Sequence, residues 1–167
     1  MRFSAMGDVA MTVPVVFSLA HQYPDLRISV LSRPFAKAFF SHMPKNVDFI
    51  AADLKNEYKG IKGLNQLYGR LKAKQPTAIA DFHDVLRSKY IRTRFTLCGY
   101  KTAHINKHKN GKRKLCRQKG KVMEQQPTSF QNYAEVLSKL GYPIDLSFTS
   151  LFANGGNQLS QLPNIIG

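Results

Sequence analysis

Apolar positions along the chain fall into two alternating patterns. RISVLSR (27–33), NVDFIAAD (46–53) and PTAIADFHD (76–84) are short, bounded by turn residues and rich in β-branched or aromatic side chains, and they predict strands. VAMTVPVVFSLAHQYP (9–24), PFAKAFFSHMP (34–44), GIKGLNQLYGRLKAK (60–74) and VLRSKYIRTRFTLCG (85–99) have helical spacing. Ile61, Leu64, Leu67 and Leu71 fall on one face of the 60–74 helix. Pro14 comes early in the first helix, where its missing N–H matters least, and Gly99 is a natural stop for the 85–99 helix. The opening MRFSAM reads as a short extended piece, with GD as the turn that follows it. PTSFQNYAEVLSKLGYP (127–143) is a last amphipathic helix, closed by Gly141 and Pro143.

Strands that alternate with helices predict an α/β fold, a parallel sheet with helices on both faces. Such sheets bind ligands beyond the carboxyl ends of their strands. SAMGD, the residues after Ile50, and FHDVLRS all fall at such ends.

Charge changes the picture. The 167 residues carry 25 Lys and Arg against 10 Asp and Glu, a net charge of +15, which implies an anionic partner. Residues 101–121 hold nine of the basic residues and no acid, and read as an exposed loop. The segment has little aromatic interleaving, so a stacking platform for nucleic acid is poorly supported. The tail 151–167, low in charge and rich in Gly, Asn and Gln, reads as a linker after a domain spanning 1–150. Cys98 and Cys116 are too few for a disulfide framework and lack zinc-site spacing. No run is long and apolar enough for a membrane span, and the amino terminus is a poor signal peptide, so the expected location is cytoplasmic.

Three stretches carry candidate chemistry. In SAMGD, Asp8 is either a plain helix cap or a general base able to take a proton from a hydroxyl nucleophile. The motif is not GxGxxG, so a dinucleotide site is not supported. In FHDVLRS, Asp84 reads as a helix cap beside a solvated Arg87, or else His83 and Arg87 line the same cleft as Asp8 and hold an anion. Lys55, Lys59 and Lys62 form either a solvated face or part of a basic rim.

RFSAMGDVAMTVPVV, YPDLRISVLSRP, IADFHDVLRS and FQNYAEVLSKLG together resemble the amino-terminal half of bacterial ADP-heptose:lipopolysaccharide heptosyltransferases, which are glycosyltransferases of GT-B architecture. The resemblance runs in order over nearly the whole chain, and SAMGD with the following TxP is its specific part. It implies a Rossmann-like domain that binds the sugar acceptor, the phosphorylated Kdo/lipid A inner core. The donor ADP-heptose, a substrate and not a cofactor, would be held mainly by a carboxy-terminal domain. Transfer would invert the anomeric carbon with Asp8 as general base and without a metal. The acceptor site implied comprises Ser4, Met6, Gly7, Lys55, Lys59, His83 and Arg87. The implied setting is the cytoplasm, in peripheral contact with the inner membrane and without nucleic acid. The chain departs from the family at Asn132, where a basic residue is common, and in having no donor half, so turnover by these residues alone is not expected. The alternative is a basic nucleic-acid-binding module, which gives Asp8 no role.

Overall fold

The computed structural model describes residues 1–106 and 127–146. Most of the 101–121 segment, Cys116, the boundary expected at residue 150 and the tail 151–167 lie outside the described residues. The elements are α1 (Met6–Ala10), α2 (Thr12–Gln22), β1 (Ile28–Ser32), a 3-10 helix (Pro34–Phe40), β2 (Val47–Ala51), α3 (Gly60–Lys72), β3 (Ala78–Asp81), α4 (Leu86–Leu97), β4 (Lys101–His104) and α5 (Ser129–Lys139).

The strands pair in parallel. β1 lies beside β2, with Ile28 opposite Val47 and Ser32 opposite Ala51. β3 lies beside β4, with Ala78 opposite Lys101 and Asp81 opposite His104. Residues 1–3 join the two pairs. Arg2 N donates to Leu31 O at 3.1 Å, Met1 N donates to Ala80 O at 2.7 Å, and Phe82 N donates to Met1 O at 3.1 Å. Met1 thus bonds the residues on either side of Asp81, the pattern of a parallel rung. Every strand, and the opening segment with them, runs the same way, so all their carboxyl ends share one edge.

Side chains alternate across this layer. Ile28, Val30, Val47 and Phe49 pack with Val9, Val13 and Val16 of α1 and α2 and with Ala36 and Phe40 of the 3-10 helix. Ala80 and Phe82 pack on the same side against Val15 and Leu19 and against Tyr133, Val136 and Leu137 of α5. Phe3, Leu31 and Ile50 point the other way, to Leu64, Leu67 and Tyr68 of α3 and Ile91 and Phe95 of α4. Helices therefore cover both faces, as expected of a parallel arrangement whose strands carry apolar residues on both sides. Each fully buried large side chain, Tyr133 and Phe95 among them, contributes about 1.5–3 kcal/mol of burial.

The structure corrects the sequence reading at five points. The extended piece expected over MRFSAM runs through Ala5, and the helix starts at Met6, so Gly7 and Asp8 lie inside α1 instead of forming a turn. The single helix expected over 9–24 is two. Pro14 has no N–H for Ala10 O and its ring crowds that carbonyl, so the chain resets at Met11, between α1 and α2. The 34–44 helix is the 3-10 segment Pro34–Phe40. Ile61 is exposed, because α3 begins above the strand ends and only its later apolar positions reach the core. Lys101–His104 is a strand and not loop: Ala103 is buried, while Lys101 and His104 at the two ends of this four-residue strand are exposed, so no run of apolar residues marked it.

Two glycines do behave as stops. Gly99 and Gly141 take φ of +81° and +95° just after α4 and α5. Gly63 has a different role. A Cβ there would lie 2.2 Å from the Tyr58 carbonyl carbon, so only glycine lets the first turn of α3 close on the preceding loop.

Candidate functional site

The carboxyl edge carries the candidate residues. Extended backbone through Ala5 leads directly into α1, and Asp8 sits in its first turn. It is not the capping residue, which is Ala5, but its Oδ2 accepts from Ala5 N at 3.3 Å. The same Oδ2 accepts from Arg2 Nη2 in an ion pair. Arg2 Nη1 donates to Phe82 O at 2.6 Å, so one guanidinium ties the start of α1 to the end of β3. The guanidinium lies 6.0 Å from the Tyr133 ring centre, and Tyr133 Oη donates to Asp8 O at 3.4 Å. Burial pushes the Tyr133 phenol up, against Arg2 and with the help of Asp8. Both described hydrogen bonds to the Asp8 carboxylate use Oδ2. Oδ1 makes none among the described residues, and the side chain is 39% exposed.

Ser4 and His83 meet. Ser4 Oγ lies 3.2 Å from His83 Nε2, and Phe3 N donates to His83 Nδ1 at 3.4 Å. Accepting at Nδ1 assigns the proton of the neutral ring to Nε2, which then donates to Ser4 Oγ. His83 is buried, with its ring edge-on to Phe3 at 6.0 Å. It therefore serves first to hold Ser4 and the end of the opening segment.

Beneath His83 lies a buried ion network. Asp81 is fully buried, and its Oδ1 accepts from His83 N and Asp84 N, each at 3.0 Å. Arg92 Nη1 donates to Asp81 Oδ2 and to Asp84 Oδ1, both at 3.1 Å. Asp84 is not the helix cap. Val85 precedes α4, and Ser88 Oγ accepts from Val85 N at 3.0 Å. Asp84 instead turns the chain with φ of +48°. Burial works against its charged form, yet the bond from Arg92 and the charges of Lys89, Arg92 and His104 lower its pKa below the usual aspartate value.

The remaining candidates share the edge without joining this cluster. Lys55, Lys59 and Arg87 are exposed, as are Met6 and Gly7. Lys59 caps α3 and Arg87 lies in the first turn of α4. The loop before α3 is shaped by Asp53, which accepts from Lys55 N at 2.9 Å, from Asn56 N at 3.2 Å and from Asn56 Nδ2 at 2.7 Å. Those bonds lower its pKa. Among the described residues no three His, Cys, Asp or Glu side chains converge as a metal site requires. A cavity of about 850 Å³ opens at the opposite edge, between β1 and β3 beyond Met1, and holds none of the candidate residues.

Sequence reasoning missed Arg2, Asp81, Arg92 and Tyr133. Arg92 is eleven residues from Asp81, and Tyr133 is 125 from Asp8, so no local spacing linked them. The one available signal was an acidic residue inside the apolar strand AIADF, a place where a carboxylate needs a partner.

The arrangement offers a carboxylate anchored through one oxygen, with the other unbonded among the described residues, a hydroxyl and imidazole at the end of the opening segment, and exposed lysines and an arginine on the same edge. Such a set can orient a hydroxyl, accept its proton and attract anionic groups. No helix among the described residues is long and apolar enough to cross a membrane. No protein-family model, no curated protein and no solved structure matches this chain.

Proposed function

We propose that this chain is the acceptor-binding part of an inverting glycosyltransferase that moves heptose from ADP-heptose to the Kdo/lipid A inner core of lipopolysaccharide. The observation that carries the reading is Asp8, held through Oδ2 by Arg2 and Ala5, with Oδ1 unbonded among the described residues. Two two-stranded parallel sheets, β1 with β2 and β3 with β4, both hydrogen-bonded to residues 1–3, are read as Rossmann-like, and the candidate residues lie at the edge where such sheets take ligands.

In the proposed step an acceptor hydroxyl attacks the anomeric carbon from the face opposite the diphosphate. Its proton passes to Asp8 Oδ1. The bond from the anomeric carbon to the diphosphate oxygen breaks with its electron pair, and ADP leaves. Ser4 orients the hydroxyl, itself oriented by His83. Lys55, Lys59 and Arg87 attract the acceptor's phosphates and carboxylates. The donor is held mainly by a second domain.

The test is an NMR titration of the chain with Kdo-lipid A oligosaccharide, and in parallel with a random oligonucleotide, at about 0.15 M salt, where screening sets in beyond about 8 Å. Shifts at Ser4, Met6, Gly7 and Asp8 with the sugar alone are expected. Equal responses to both ligands, confined to residues 101–121, would overturn the acceptor reading and favour general polyanion binding.

A further inference from the structure

β1 and β3 lie on either side of a gap that residues 1–3 bridge only at its carboxyl half. The amino half is the cavity of about 850 Å³. Burial follows this division. Leu31, Ser32 and Asp81 are buried, whereas Ile28, Ala78, Ile79 and Ala80 are half-buried and Ser29, in mid-strand, is exposed. Strands covered by helices on both faces are normally buried along their whole length.

The cavity is walled by backbone on two sides and by apolar side chains on the other two. In a parallel strand the N–H and C=O of one residue point to the same side. Leu31 O accepts from Arg2 N and Ala80 O from Met1 N, so Ser29 and Leu31 of β1, like Ala78 and Ala80 of β3, turn their backbone groups inward. Ser29 N, Leu31 N and Ala80 N have no hydrogen-bond partner among the described residues. Leu19, Leu137 and Leu140 close one face, and Ile50, Leu71 and Ile91 the other. Residues 1–3 bond to both backbone rows, so the gap is one strand wide. An extended backbone answers both rows at once, because its alternate residues present N–H and C=O to opposite sides.

The Met1 α-amino group closes the inner end. It donates to Ala80 O at 2.7 Å, and burial pushes its pKa down to about 6. A carboxylate arriving there gains a partner, whereas a second ammonium is repelled.

We propose that this slot takes the last four or so residues, about 3.3 Å each, of an extended apolar polypeptide that runs parallel to β1 and β3 and ends with its carboxylate between Met1 N and Leu31 N. Its preceding carbonyls accept from Ser29 N and Ala80 N, and its side chains alternate between the two apolar walls. The proposal goes beyond the transferase reading and does not depend on it, since the slot opens at the edge opposite Asp8 and leaves that site free. A strand seated there would brace the opening segment that carries Arg2 and Ser4.

The test is an NMR titration of the full chain with the peptide acetyl-Lys-Thr-Val-Ile-Val bearing a free carboxylate. No sugar is present, so the result is separate from the oligosaccharide titration. The Ser29, Leu31 and Ala80 amides should shift together and exchange at least about tenfold more slowly with peptide bound, while Val30 and Ile79 stay protected in their ladders. The peptide amidated at its carboxyl end should bind at least about threefold more weakly. N-methylation at its isoleucine should weaken binding at least about tenfold, because every central N–H is used and a lost one leaves a carbonyl unpaired. Both changes are made in the peptide, so the fold of the chain is untouched. Equal binding by the amidated or the N-methylated peptide, shifts confined to the outer edges of β2 or β4, or no shifts at millimolar peptide would each overturn the proposal. So would slow exchange at Ser29 and Ala80 without peptide, because the slot would then be filled already.

Discussion

Arg2 holds Asp8 across the end of β3: one guanidinium nitrogen bonds the Asp8 carboxylate and another bonds Phe82 O at 2.6 Å. The pair fixes the α1 carboxylate relative to the strand edge while using only one of its oxygens. Arg2→Met removes both bonds but fills most of the space. It should cost about 1–3 kcal/mol in urea unfolding and shift the Phe82 and Asp8 amide resonances together. Unchanged stability with unchanged resonances would show that the bridge does not persist in solution. Asp8→Asn keeps an oxygen for Ala5 N and should cost about 1 kcal/mol, less than Arg2→Met.

The Asp81–Arg92 pair should matter more to stability than any surface charge. Asp81 is fully buried and serves two backbone amides as well as Arg92. Asp81→Ala should cost about 3–5 kcal/mol, because it strands those amides and leaves Arg92 without its most buried partner. Asp81→Asn should lose clearly less, and the His83 ring resonances should move in both variants. Chemical denaturation and two-dimensional NMR read the two effects separately.

Two glycine substitutions should have opposite signs. Gly63→Ala forces a Cβ to 2.2 Å from the Tyr58 carbonyl carbon, and should destabilise the chain by at least about 2 kcal/mol. At Gly7, in helical conformation with no atom within 4 Å of the added Cβ, Gly7→Ala should stabilise by about 0.5–1 kcal/mol. If Gly7→Ala also abolishes oligosaccharide shifts, the acceptor approaches the backbone at that position.

Acid should expose the Asp84 contribution. Its folded pKa lies below the ordinary 3.8, lowered by Arg92 and neighbouring charges despite burial. As pH falls the unfolded chain therefore takes up the proton first. The stabilisation is present above 3.8 and lost as pH falls through the lower folded value. Asp84→Asn should be less stable than the parent at neutral pH and converge with it in that acid window. A constant difference between the two down to the acid limit would show that the ion pair carries no linkage.

Amide exchange should follow the register. Ile28, Val30 and Ser32 bond toward β2, so Ser29 N points at the cavity between β1 and β3, and Ala80 N does likewise from β3. The Ser29 and Ala80 amides should exchange much faster than those of Val30 and Ile79, which lie in the ladders. Equal protection at all four would mean that the cavity is closed in solution.

Much of this protein was determined locally. β-branched runs bounded by turn residues located three strands to within a few residues, and apolar spacing located α3, α4 and α5, because burial of one helix stripe or one strand face leaves a periodic trace. The glycine stops after α4 and α5 were equally plain, since few other residues accept positive φ. The stretches carrying Asp8, Ser4 and His83 were legible as strand ends. What tertiary structure decided was everything that joins distant segments. β4 was hidden because its two end residues are exposed and basic, and only pairing with β3 shows that Ala103 is buried. The same holds for the Arg2 bridge, for Asp81 with Arg92, for the loss of Ile61 from the core, and for the gap between β1 and β3. Side-chain periodicity records what each segment buries. Which segments share an edge depends on parallel register, a property of chain crossings that no local window contains.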